Sequence, residues 1–103
     1  MDSIDIRDNP DAHRFETDLG DGSVAIAEYL IEPGKIIFTH TEVPRAHEGQ
    51  GIGSALIRFA LRAARERHLK VAPRCPFFAD YIRRHEEEQD LLAPGWRGKL
   101  GLD

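Results

Sequence analysis

Apolar and polar side chains alternate along three stretches in the first half of the chain: His13 to Thr17, Ser23 to Ile31 and Ile36 to Val43. A period of two is the mark of a strand with one buried face. In the second stretch Val24, Ile26 and Leu30 fall on one side, and Ala25, Ala27, Tyr29 and Ile31 on the other. Gly20-Asp21-Gly22 and Glu32-Pro33-Gly34-Lys35 separate the stretches. The second of these puts Pro and Gly in the middle places of a type II turn. Three strands joined by short turns predict an antiparallel meander. Pro44 cannot donate to a ladder and ends the third strand.

The period then lengthens. Ile52, Leu56, Phe59, Ala60 and Ala63 recur at three- and four-residue spacings, which predicts a helix from Ile52 to about His68. Arg58, Arg62, Arg65 and Glu66 fall on its other side, as a solvated face. Leu69 to Ala72 predicts a fourth strand, ended by Pro73, and the helical crossover before it allows it to lie parallel to the third. Phe77 to His85 predicts a second helix with Phe78, Tyr81 and Ile82 as its apolar side. Glu86 to Asp90 is acidic and continues as helix or linker to Leu91 and Leu92. Residues 1–12, with at most a short strand near Ile4 to Arg7, and residues 94–103 are expected to be flexible ends. The fold class expected is α+β: one domain over residues 1–103, with a four-stranded, mainly antiparallel sheet and two main helices.

Composition narrows the function classes. The chain has 103 residues and a net charge of −4, so it carries no general basic footprint for nucleic acid. No apolar run approaches the ~18 residues of a membrane span, and no signal peptide precedes Asp2. The single Cys allows no internal disulfide, which fits a reducing, cytoplasmic setting. No nucleic-acid or membrane partner is expected, and the chain is expected to be a monomer or weak dimer.

Between the third strand and the first helix lies Arg45-Ala46-His47-Glu48-Gly49-Gln50-Gly51-Ile52-Gly53-Ser54. Glycines let several backbone N–H groups turn toward one ligand, and the helix start adds unpaired N–H groups and a positive dipole end. Such a loop suits a phosphate or pyrophosphate. It is not a Walker A loop, because no Lys precedes Ser54. It is not a Rossmann fingerprint, because the third glycine is missing. Gly-x-Ser-x-Gly is absent as well. No short paired spacing of Cys or His suggests a metal site.

The spacing Gly51-x-Gly53 after a strand resembles the coenzyme A pyrophosphate loop of the GNAT acyltransferase superfamily, Gln/Arg-x-x-Gly-x-Gly/Ala. The first position here is Glu48, an acid, so the backbone rather than that side chain is the expected contact. The strand end Phe38-Thr39-His40-Thr41-Glu42-Val43-Pro44, then Leu69-Lys70-Val71, Pro73-Arg74-Cys75-Pro76-Phe77 and Tyr81-Ile82-x-x-His85 extend the resemblance over roughly residues 13 to 92. They are similar to a short, stand-alone GNAT-like branch of N-acetyltransferases.

That resemblance implies a splay between the third and fourth strands, with the pantetheine arm of acetyl-CoA along the open edge. Thr41, Glu42 and Val43 would offer backbone groups to the arm, and Gly49, Gln50, Gly51, Ile52, Gly53 and Ser54 would hold the pyrophosphate. The implied activity is transfer of an acetyl group from acetyl-CoA to a small-molecule or protein amine. The alternative is a non-catalytic CoA- or acyl-CoA-binding module.

Three residues are candidates for chemistry. His40, placed by the period of two on the face of Ile36 and Phe38, is a candidate general base. Cys75 stands between two prolines before a helix, where a thiolate is favoured. Tyr81 is the candidate donor of a proton to the departing thiolate, a role implied by the resemblance. Direct transfer through His40 and covalent transfer through Cys75 both stay open. His47 and His85 are expected to be solvated.

Overall fold

The computed structural model describes residues 4–102. Five strands form one sheet: β1 (Arg7–Asn9), β2 (Arg14–Asp18), β3 (Val24–Glu32), β4 (Lys35–Glu42) and β5 (Lys70–Pro73). They lie in chain order across the sheet, antiparallel except for the last pair. Three helices are α1 (Ile52–Glu66), α2 (Pro76–Arg84) and the short α3 (Trp96–Lys99). Short 3-10 segments cover Pro10–Ala12, Arg45–His47 and Glu86–Leu91.

The sheet thus has five strands where alternation predicts four. The extra one, β1, has no apolar alternation to announce it. Its ladder with β2 is reinforced by side chains: Arg7, Asn9 and Arg14 all bond the carboxylate of Glu16, which is buried. Arg14 and Asn9 hold that carboxyl below its usual range. Asp8 accepts from the Tyr29 hydroxyl at 2.5 Å and from Arg67 at 2.9 Å, which ties β1 to β3 and to the end of α1. Burial, reinforced by Asp8, pushes the Tyr29 phenol up to about 12. Charged partners, rather than apolar area, specify this strand.

One irregularity lies at the centre of the sheet. Glu28 pairs with His40, but Tyr29 pairs with Phe38, so Thr39 has no opposite number. This β-bulge inserts one residue and reverses the faces beyond it. Phe38 and Thr41 are both buried, whereas His40 turns to solvent. The expectation that His40 shares the face of Ile36 and Phe38 is therefore corrected: a strict period of two cannot survive an inserted residue.

The stripe on α1 packs on the sheet as its spacing requires. Ile52, Leu56, Ile57, Ala60, Leu61, Ala63 and Ala64 are buried. Phe15 meets Tyr29 and Phe59 with ring centroids 5.1 and 5.7 Å apart. Phe38 stacks on Phe78 of α2 at 4.0 Å, with planes 6° apart. Each such side chain contributes roughly 1.5–3 kcal/mol by leaving water.

β4 and β5 run parallel from Lys35↔Lys70 to Phe38↔Pro73 and then part. The N–H of Cys75 donates to Phe38 O at 2.9 Å, and beyond it, among the described residues, no strand pairs with the outer edge of residues 39–42. On its other side β5 makes a parallel bridge, Val71↔Leu92, and Ala93 N donates to Val71 O at 2.9 Å. Composition suggests a loose tail after Pro94; the chain instead forms α3 there and buries Leu100 in the core. Among the described residues no helix is long and apolar enough to cross a membrane.

Candidate acyl-donor site

The parting of β4 and β5 opens a cavity of about 700 Å³. Its floor comes from the end of β4 and its continuation: Thr41, Glu42 and Val43. One wall is the glycine loop with the first turn of α1, from Gly49 through Ser54 apart from Gln50, with Ile57 behind it. The other wall is a face of α2, carrying Phe77, Asp80, Tyr81 and Arg84.

The loop is built to present N–H groups. Gly49 and Gly51 have φ of 82° and 80°, a left-handed conformation that a Cβ disfavours. Gly51 is the N-cap of α1, and with no capping side chain it leaves the helix start open. Among the described residues, the N–H groups of Gly49 through Ser54 have no protein partner. Gly51 O already accepts from Ala55 N at 3.1 Å, so the helix is closed from its first turn and only the donors are left over. A run of unpaired donors at a positive helix end can hold an anion. The outer edge of 39–42 offers the second requirement, unpaired strand groups for an extended amide chain.

The candidate catalytic side chains are distributed unevenly. Tyr81 lines the cavity and is largely buried; its ring stacks on His85 with centroids 3.8 Å apart. Cys75 is the N-cap of α2, is 2% exposed, and lies just behind the floor. Its Sγ is 3.2 Å from Thr41 Oγ1, a side chain that does line the cavity. His40 is not among the lining residues, and its Nε2 faces Glu42 Oε1 at 3.4 Å. The structure thus brings Tyr81 to the cavity with eight of the nine loop and strand candidates, places Cys75 behind it against Thr41, and leaves His40 exposed and outside the lining. Gln50 lies off the wall, with its Oε1 3.3 Å from His47 Nδ1.

Several lining residues are not evident from alternation or loop motifs. Phe77, Asp80 and Arg84 accompany Tyr81 at helical spacing, so the period of α2 carried that signal once Tyr81 was singled out. His47 and His85, expected to be solvated, are both engaged: His47 between Asp21 and Gln50, His85 against the ring and backbone of Tyr81. Nothing local in the sequence announces the His47–Asp21 contact. Arg58 and Arg62 are exposed on α1 away from the cavity, and Arg65 bonds Glu88 and Asp90.

A family model described as GCN5-related N-acetyl-transferase matches residues 14–91, from β2 through the turn after α2. The chain belongs to the GCN5-related N-acetyltransferase family. A solution NMR structure of a GCN5-like N-acetyltransferase candidate from Staphylococcus aureus superposes with a TM-score of 0.69 at 25% sequence identity. The match covers 90% of this chain and 91% of the other. No curated protein matches. The family and the shared architecture fit an acyltransferase of one small α+β domain, and among the described residues β5 is followed by α2 and the α3 segment that closes its outer side.

Proposed function

We propose that this protein moves an acetyl group from acetyl-CoA to an amine. The observation that supports this most is the joint presence of two features in one cavity. The unpaired N–H groups of Gly49 through Ser54 suit a diphosphate, and the unpaired edge of Thr39–Glu42 suits the amides of a pantetheine arm. The unpaired edge begins where Cys75 N donates to Phe38 O, so an arm laid along it runs toward Cys75.

Acetyl-CoA supplies the acetyl group as a thioester. In this reading Gly49, Gly51, Ile52, Gly53 and Ser54 bind its phosphates through backbone donors, while Thr41, Glu42 and Val43 align the arm. Cys75 is the first acceptor. It stands at the vertex of the splay, with its N–H bonded to Phe38 O and its Sγ against Thr41 Oγ1. Sγ attacks the thioester carbonyl, the new S–C bond forms, and the old one breaks toward CoA. Tyr81 donates a proton to the departing thiolate, and the Cys75 proton restores the phenol. An amine then attacks the acetylated Cys75, leaving an amide product and a free thiol. Exchange of one thioester for another is close to energy-neutral, so the first step needs little driving force. His40 points away from the cavity and does not take part.

Mixing with acetyl-CoA and following free thiol release tests transfer, and intact-mass spectrometry tests the route. An acetyl adduct removable by hydroxylamine and absent in Cys75→Ala is the expected result. Wild-type turnover in Cys75→Ala would exclude the covalent route. Absence of both adduct and turnover with a range of amines would exclude transfer itself.

A further inference from the structure

His47 has a setting unlike that of any other histidine in the chain. Its Nε2 lies 2.9 Å from Asp21 Oδ2, and its Nδ1 lies 3.3 Å from Gln50 Oε1. With the Gln50 oxygen toward Nδ1 both contacts are donated only by the imidazolium, because a neutral imidazole has one N–H and one lone pair; the neutral ring keeps both only if the amide turns its NH2 toward Nδ1. Asp21 belongs to the β2–β3 turn, 26 residues upstream. It is itself fixed by the Ser23 N–H at 3.0 Å and the Ser23 hydroxyl at 2.5 Å. The clamp therefore joins a tight turn of the sheet to the middle of the glycine loop, between the 3-10 turn Arg45–His47 and the left-handed Gly49 and Gly51.

His47 also lines the cavity, which places its charge beside the N–H groups of the loop. The next residue is Glu48, whose carboxylate opposes a phosphate. The other charged groups lining this space are Glu42 at the end of β4, and Asp80 and Arg84 across the cavity on α2. Among these, His47 is the charge that changes near neutral pH. Ser23 and His47 hold the Asp21 carboxyl well below its ordinary range, and Asp21 raises the His47 imidazole above its own.

We propose that His47, clamped as an imidazolium between Asp21 and Gln50, positions the glycine loop for the CoA diphosphate and offsets the charge of Glu48, so that CoA affinity falls as pH rises. The inference rests on the CoA-binding reading above. Below the His47 titration the imidazolium keeps both hydrogen bonds and adds a positive charge near the phosphates. Above it the positive charge is gone, the ring donates only one of the two bonds, and Glu48 is left without that nearby cation.

The test is a calorimetric titration with dephospho-CoA from about pH 5.5 to about pH 8.5, the range over which histidine changes charge. Dephospho-CoA lacks the 3′-phosphate, whose own titration would overlap that of the imidazole. Wild-type affinity should fall about fivefold to tenfold across the range, since tenfold corresponds to one unit of linked pKa. His47→Gln should bind with a flat pH profile. Asp21→Asn replaces the carboxylate by an amide of the same shape at an exposed turn, and its affinity should still fall but with a midpoint moved to lower pH. NMR titration of the His47 ring in wild type and Asp21→Asn should show the same displacement without any ligand. If wild type and His47→Gln share one pH slope, or if Asp21→Asn leaves the midpoint in place, this inference is overturned while CoA binding stands. If wild type binds neither dephospho-CoA nor CoA at any pH, the cofactor reading fails first and the inference falls with it.

Discussion

Thr41 Oγ1 lies 3.2 Å from the Sγ of Cys75, and only the threonine faces the cavity. The bulge at Thr39 creates this contact. Without the inserted residue Thr41 would turn to solvent, and His40 would stand over the sulfur instead. The side chain nearest the thiol is therefore a neutral hydroxyl that can donate to a thiolate or accept from a thiol. Replacing Thr41 by Val keeps the shape and removes the hydroxyl. Acetylation of Cys75 should slow by about fivefold to tenfold, the equivalent of one modest hydrogen bond of ~1 kcal/mol. Rapid-quench mass spectrometry of the acetyl adduct reads this directly, and an unchanged rate would exclude a role for the hydroxyl.

Gly51 and Gly53 should respond differently to substitution. Gly51 sits at φ 80°, where any side chain is strained by roughly 1–2 kcal/mol, and an Asp adds a negative charge where a diphosphate would lie. Gly51→Asp should lower CoA affinity by tenfold or more. Gly53 is helical, and the nearest atom to an added Cβ is Val43 Cγ2 at an ordinary 3.7 Å. Gly53→Ala should fold normally and gain about 0.5–1 kcal/mol in helix stability. Titration calorimetry and thermal melts of the two variants check both statements.

Tyr81→Phe keeps the ring that stacks on His85 and loses only the hydroxyl. If that hydroxyl supplies the proton to the departing thiolate, kcat should fall on the order of a hundredfold. CoA affinity and melting temperature should stay close to wild type. A fall in affinity with kcat preserved would instead assign Tyr81 to binding.

Arg65 bonds both oxygens of Asp90, at 2.7 and 3.0 Å, and Glu88 at 3.1 Å. Arg65 holds the Asp90 carboxyl below its usual value. The sign follows: the contribution is fully present above the ordinary carboxylate range and is lost as pH falls through the lowered value. The pair is exposed, so Arg65→Ala should cost only about 1 kcal/mol or less at neutral pH. That corresponds to a few degrees in Tm at most, and the difference from wild type should shrink in acid. Thermal melts from neutral to acid pH check the convergence.

Most of the fold was legible because apolar side chains set it. The period-two stretches became β2, β3 and β4, and the stripe from Ile52 became α1. What escaped has a common cause: it depends on single backbone irregularities or on charged pairs distant in sequence. Arg7–Asn9 forms a strand because of Glu16 and Tyr29, partners that no local pattern shows. The register of β3 and β4 shifts at Thr39, and His40 changes side as a result. The glycine loop was visible as a motif, but the histidine clamped beside it was not, because Asp21 lies on another turn. The wall of α2 was half legible, since Tyr81 was noticed and its companions at helical spacing were not.

Both flanks of the sheet are occupied or cut short. At one flank β1 has three polar residues, too few and too charged to template a neighbour. At the other, the segment through Leu92 and Ala93 covers the middle of β5. Among the described residues, the seam inside the sheet, where β4 leaves β5, is the remaining place for an extended chain to add backbone hydrogen bonds. That seam ends at Cys75 and is walled by two helices, so it admits a thin, linear amide far more readily than a bulky peptide strand. The margins of the sheet are thus poor templates for another strand, and its inner seam has the shape of a slot for the tether-like arm proposed above.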